Sequence, residues 1–304
     1  MTARDRRRRF ARALIVVLLF LIATLPVLIG AMLTVTLTLA RCEGRAPPPV
    51  PFEDIAFPST EFGLPTPAYF IPGAGTGADP APAVIVLPTL AAARGDRMSE
   101  ALVYHELGMH VLMFDSRACV GRTGPSLGVA EAAQVGDALA YLEQRPDVDP
   151  ARIGLHGFSA GGAAALMAAA QFPEIAAVVA QGNFADFAAE LDESIQGLGV
   201  LEPLFRFGAR LGYRLMTGQH MEALAPIRAM PEIAPRPVLL VYGEQEPMER
   251  PEPLAAAGRA AGSIVDIWIV PGARHGDYQA QAGPEYAERV GGFMAEALGM
   301  DGST

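Results

Sequence analysis

"IGLHGFSAGGAAALMAAA", residues 153–170, sets a short apolar run against an alanine-rich run, with a serine between glycines at the joint. The first half has the look of a buried strand, the second of a helix. A strand that turns into a helix within three residues forces its central residue into a strained conformation. Side chains two positions before and after that residue would collide, so glycine is needed there. Gly157-Phe158-Ser159-Ala160-Gly161 meets that demand. It also leaves the Ser159 hydroxyl at the tip of the turn, where the helix beginning at Ala160 aims its positive end. The five-residue pattern alone is weak; its place between a strand and a helix makes it specific.

Outward from this turn, strand-like and helix-like segments alternate. "EDIAF" (53–57) and "TPAYFI" (66–71) read as an edge hairpin. "AVIVL" (83–87), "HVLMF" (110–114), "AAVVA" (176–180), "PVLLVY" (237–242) and "IVDIWIV" (264–270) join "RIGLH" (152–156) as buried strands. Uninterrupted apolar runs of this length are what parallel strands covered on both faces show. Helical patterns lie near 99–108, 129–145, 160–171, 252–261 and 284–298, which predicts a mostly parallel eight-stranded α/β sheet with helices on both faces. More than fifty residues separate "AAVVA" from "PVLLVY", and within them "GLGVLEPLFRFGARLGYRLM" (197–216) is unusually apolar. An insert at about 184–231 would stand above the carboxyl ends of the strands as a helical lid. It would line an acyl pocket or dock on lipid.

A serine at such a turn needs a base. Of the five histidines only His275, in "VPGARHGDY", lies in a loop after a late strand. His156 precedes the turn on its own strand and reads as a core residue. His105 and His110 are five apart, so they diverge on a helix and make no metal pair; no metal site and no cofactor are expected. An acid should follow "PVLLVY", where "GEQEPME" offers Glu244, Glu246 and Glu249, and Asp186 after "AAVVAQGNF" is a further contender. The glycine-rich "GAGTGAD" (73–79) is followed by no helix pattern and reads as a turn.

Composition narrows the chemistry further. Half of the 304 residues are hydrophobic, which excludes a disordered chain, and the net charge is −10. Residues 1–12 carry +5 of formal charge, leaving an acidic body that argues against nucleic acid as a partner. All 23 basic residues are arginine, so no step can use a lysine. The two cysteines, Cys42 and Cys119, are too few for a disulfide framework and are expected as free thiols.

The 28 positions from Ala13 to Ala40 hold no charge. About 20 apolar residues cross a bilayer, so this stretch reads as a transmembrane anchor. The arginines before it place residues 1–12 in the cytoplasm and the rest outside. The alternatives are a cleaved signal ending at Thr38-Leu39-Ala40, which would release a secreted or periplasmic protein, and lipidation at Cys42. "EGRAPPPVP" closes a stiff spacer over residues 41–51, and residues 52–300 form one domain.

Taken together, the segments resemble the α/β-hydrolase superfamily. They are closest to its serine-aminopeptidase and dipeptidyl-aminopeptidase/acylaminoacyl-peptidase-like branch, over nearly all of residues 52–299. "FDSRACVGRTGPS", "DALAYLEQRPDVDPARIGLHGFSAGG", "RPVLLVYGEQE" and "VPGARHGD" match the family's loops in order. The resemblance implies Ser159 as nucleophile, His275 as base and Glu246 as acid, since Glu246 takes the aspartate position of Gly-x-x-Asp. It makes the Ala160 amide one oxyanion donor. The family's His-Gly is Pro88-Thr89 here, so the second donor falls to the Leu90 amide. The implied function is hydrolysis of an acyl ester, thioester or amide of a small-molecule or lipid-like substrate. An acyltransferase or a catalytically silent binding module on the same fold is the alternative.

Overall fold

A computed structural model describes residues 3–37, 42–77, 79–90, 92–121, 123–246 and 250–300. The chain opens with α1 (Ala3–Leu37), then β1 (Glu53–Pro58), β2 (Pro65–Ile71) and β3 (Ala81–Val86). There follow α2 (Met98–Glu106), β4 (His110–Phe114), α3 (Arg117–Gly121), α4 (Glu131–Leu142), β5 (Val148–Phe158), α5 (Ala160–Gln171) and β6 (Ile175–Gln181). After β6 come α6 (Phe187–Ser194), α7 (Glu202–Thr217) and α8 (Pro226–Ile233). The last part is β7 (Val238–Gly243), α9 (Glu252–Ala261), β8 (Val265–Val270) and α10 (Tyr278–Ala282). It closes with α11 (Pro284–Tyr286), a π-helical turn over Ala287–Gly291, and α12 (Gly292–Ala297).

The eight strands form one sheet in the order β1-β2-β4-β3-β5-β6-β7-β8. Only β1–β2 and β2–β4 pair antiparallel; every pair from β4 to β8 is parallel. Each central strand is buried on both faces. Ile85, Leu155, Val178 and Leu240 face a core shared with α4, α5, α8 and α9, while Val84, Val179, Val241 and Trp268 face one shared with α2 and the C-terminal helices. This two-sided burial is the reason the strands read as unbroken apolar runs.

The stretch between β6 and β7 divides in two. Met230 and Ile233 of α8 are fully buried in the core under the sheet, so α8 is the ordinary crossover helix. What stands above the strand ends is α6, a short 3₁₀ turn (Gly199–Leu201) and α7. The elevated part therefore stops short of residue 231, because α8 is needed to cover the sheet.

α7 packs along the carboxyl half of α1, and glycines set the spacing. A Cβ on Gly208 would lie 2.1 Å from the Val27 carbonyl oxygen, and one on Gly30 would lie 2.5 Å from that of Phe205. One on Gly212 would lie 2.3 Å from Thr34 Oγ1. Gly208 and Gly212, four apart, form the small-residue stripe that lets two helix backbones meet. α1 is long and apolar enough to cross a membrane, over Arg9–Thr36. The tripeptide Thr38-Leu39-Ala40 and Arg41 lie outside the described residues.

The cysteines are not free thiols. Cys42 and Cys119 form a disulfide with their Cα atoms 5.5 Å apart, which also removes Cys42 as a lipidation site. The pairing could not be read from spacing, because it depends on residues 42–46 folding back over the end of the sheet. There the Ala93 amide donates to the Glu43 carbonyl and the Gly95 amide to that of Gly44. With its ends 77 positions apart in the chain, the bridge should stabilise the domain by about 2–4 kcal/mol. Cys42→Ser, Cys119→Ser and the double variant are each expected to lower the unfolding midpoint by the same amount under oxidising conditions. Thermal unfolding with and without dithiothreitol checks this, and an additive double variant would rule the bridge out.

Candidate active site

Ser159 stands between the last residue of β5 and the first of α5, at φ 56° and ψ −122°. A left-handed φ is costly for a residue with a side chain, and here the surroundings enforce it. The Ser159 amide donates to the Gln181 carbonyl at the end of β6, and its own carbonyl accepts from Ala163 in the first turn of α5. At Gly157 a Cβ would sit 2.1 Å from the Gly161 carbonyl oxygen, so the chain doubles back too tightly for any side chain.

The loops after β7 and β8 bring two further groups to the serine. His275 Nε2 lies 3.2 Å from Ser159 Oγ, and His275 Nδ1 lies 2.5 Å from Glu246 Oε1. The Glu246 side chain is only 2% exposed. Burial pushes its carboxyl up, but hydrogen bonds from His275, from the Tyr278 hydroxyl and from the Gly243 amide outweigh that and hold it below its ordinary value. The Tyr278 hydroxyl donates to the same Oε1 at 2.6 Å, while the Gly243 amide takes Oε2. With a carboxylate on Nδ1, that nitrogen carries the proton and Nε2 faces the serine as an acceptor. Phe158 packs its ring 4.6 Å from the imidazole and fixes its tilt.

A cavity of about 380 Å³ opens beside Ser159 and His275. Leu90, Leu127, Phe184, Phe187 and Leu191 supply most of its apolar wall, and Ala160 its floor at the start of α5. Leu90 adopts φ 29° at the tip of the loop after β3. That loop is tied at several points: Asp96 accepts from the Thr89 hydroxyl at 2.5 Å, Asp115 from the Arg94 amide at 3.0 Å, and the Ala92 carbonyl from the Ser116 amide. Ala160, at the start of α5, and Leu90, on the loop after β3, thus flank the serine.

The remaining contenders lie elsewhere. Glu244 accepts from the Gly272 amide at 2.7 Å and has no contact with His275. Asp186 caps α6 through the Ala189 amide; Glu249 lies outside the described residues. His156 is fully buried against the Tyr104 hydroxyl, and burial together with Arg97 holds it neutral, its pKa lowered to about 3. His110 bridges the Gly73 amide and the Asp147 carbonyl, and His105 meets the Pro72 carbonyl. The cavity wall does not come from residues 197–216: α7 gives its glycine face to α1, and α6 with Phe184 lines the cavity instead. Sequence reasoning passed over Tyr278; its position three residues after His275 is the only signal that it carried.

Comparison with known proteins agrees with this architecture. The Prolyl oligopeptidase family model matches residues 123–301, a stretch that includes Ser159, Glu246 and His275. An uncharacterised protein of Mycobacterium tuberculosis is 29% identical over 243 residues, covering 78% of this chain and 77% of its own. A thiohydrolase of Arthrinium phaeospermum is 37% identical over 111 residues, about a third of each chain (33% and 34%). Among solved structures, an esterase of Pyrococcus furiosus superposes with a TM-score of 0.66 at 18% identity, covering 86% of this chain and 97% of that one. The chain is an α/β-hydrolase, and it belongs to the Prolyl oligopeptidase family of serine hydrolases.

Proposed function

We propose that this protein is a membrane-anchored hydrolase acting outside the cytoplasm, which cleaves an acyl ester, thioester or amide through a Ser159–His275–Glu246 triad. The observation that carries the reading is the pair of contacts at His275, with Ser159 Oγ on one ring nitrogen and a buried carboxylate on the other. Ser159 Oγ attacks the acyl carbon while its proton passes to His275 Nε2. The C–O, C–S or C–N bond then breaks, and the leaving group takes that proton. Water, deprotonated in turn by His275, releases the acid and restores the serine. Glu246 holds the tautomer and offsets the imidazolium charge. The Ala160 amide, at the positive end of α5, and the Leu90 amide stabilise the tetrahedral oxyanion. The thiohydrolase relative supports a thioester as one substrate type.

Placement outside the cytoplasm is supported by the arginines ahead of α1, by its apolar span, and by the Cys42–Cys119 bridge, a bond that persists in oxidising compartments. Protease added on the outer side of the membrane should digest the domain and spare residues 1–12. A soluble product starting after Ala40 would show cleavage instead.

Ser159→Ala is expected to fold normally and to lose both fluorophosphonate labelling and turnover, the latter by several orders of magnitude. Normal labelling of this variant would overturn the proposal. Amide replacement tests the acid: Glu246→Gln should reduce kcat by roughly a hundredfold or more, while Glu244→Gln and Asp186→Asn stay within about tenfold. Tyr278→Phe removes one hydrogen bond to the carboxylate and should cost roughly tenfold in kcat. A crippled Asp186→Asn beside an active Glu246→Gln would move the acid to the loop after β6.

A further inference from the structure

One wall of the cavity comes from outside the sheet and its loops. Leu33, near the carboxyl end of α1, lines the same space as Ser159 and His275 and is itself 47% exposed. The neighbouring Ile29 and Met32 on the helix are also exposed. The apolar anchor is thus part of the site.

Helix length fixes the depth of that site. Residues 13–23 of α1 are exposed all round, and contact with the domain begins just after them. Those residues span only about 16 Å of rise, roughly half of the ~30 Å hydrocarbon core. The rest of the crossing must come from the part of α1 that packs on α7. α7 is suited to this. Its exposed stripe of Phe207, Leu211 and Leu215 adjoins the face that holds Gly208 and Gly212 against α1, so the two helices present one continuous apolar surface. Arg206 and Arg210 pair with Asp192, Glu202 and Glu222, while the exposed Arg214 borders the stripe. The two helices run side by side, Val27 against Gly208 and Ala31 against Gly212, so α7 carries this apolar stripe to the same depth as the carboxyl half of α1.

We infer that the cavity takes the long acyl chain of a substrate held in the adjoining leaflet, which enters past Leu33 from the bilayer rather than from water. The inference rests on the hydrolase reading above and adds to it the class of substrate. The chain is the recognised element: the apolar wall binds it, and the ester or thioester carbonyl comes to rest at Ser159.

The test uses the full-length protein in phosphatidylcholine vesicles. Palmitate release from 1-palmitoylglycerol should be at least tenfold faster when the substrate shares the enzyme's vesicles than when it is supplied in separate ones. With p-nitrophenyl esters from butyrate to octanoate, kcat/KM should rise by about three- to fourfold per methylene. Leu33→Trp should reduce the palmitoyl-to-butyrate rate ratio at least tenfold, and Leu33→Met should restore it. Preference for an S-palmitoyl peptide anchored in the same vesicles would identify acylated protein as the source of the chain, and preference for the glycerol ester a lipid. Equal rates in shared and separate vesicles, with a peak at butyrate and normal fluorophosphonate labelling of Ser159, would overturn the inference and leave the hydrolase standing. Absence of labelling at Ser159 would instead overturn the hydrolase reading, and this inference with it.

Discussion

The site depends on one strained residue. Ser159 sits at a positive φ because β5 must end and α5 begin within a single position, and the Gln181 carbonyl and the first turn of α5 hold it there. A hydroxyl on a relaxed loop would lose much of its reactivity to motion. Here the sheet and the helix over-determine its place. Gly157 and Gly161 are consequences of that geometry, since a side chain at either would meet backbone at under 3 Å.

His275, Glu246 and Leu90 arrive on loops at the same end of the parallel sheet. Parallel strands place all their carboxyl ends on one edge, so the turns after β3, β5, β7 and β8 converge although their residues lie far apart in the chain. Convergence alone would leave them mobile. The His275 loop is fixed through Glu246, which Tyr278 and the Gly243 amide hold in turn. The Leu90 loop is fixed through Asp96, Asp115 and the returning segment around Cys42. The disulfide belongs to that second support, because Cys119 Sγ also meets the Ala92 carbonyl.

The long apolar helix α1 and the catalytic domain are physically joined. Glycines on both α1 and α7 bring the helices to backbone contact, and the carboxyl end of α1 reaches the cavity.

The sequence by itself determined the alternation of strands and helices, the elbow with a serine at its tip, and the histidine loop, because each rests on local rules: unbroken apolar runs for two-sided burial, glycines for a turn without room, and a histidine after a late strand. It also narrowed the acid to a few carboxylates in named loops. Only the tertiary structure decided which of them meets the imidazole, since Glu244 and Glu246 differ by the direction in which one loop folds. The same holds for Tyr278, for the pairing of Cys42 with Cys119, for α8 as sheet cover rather than part of the raised segment, and for Leu33 at the cavity. Each of these is a contact between segments distant in the chain, and such contacts are fixed by packing that no local pattern encodes.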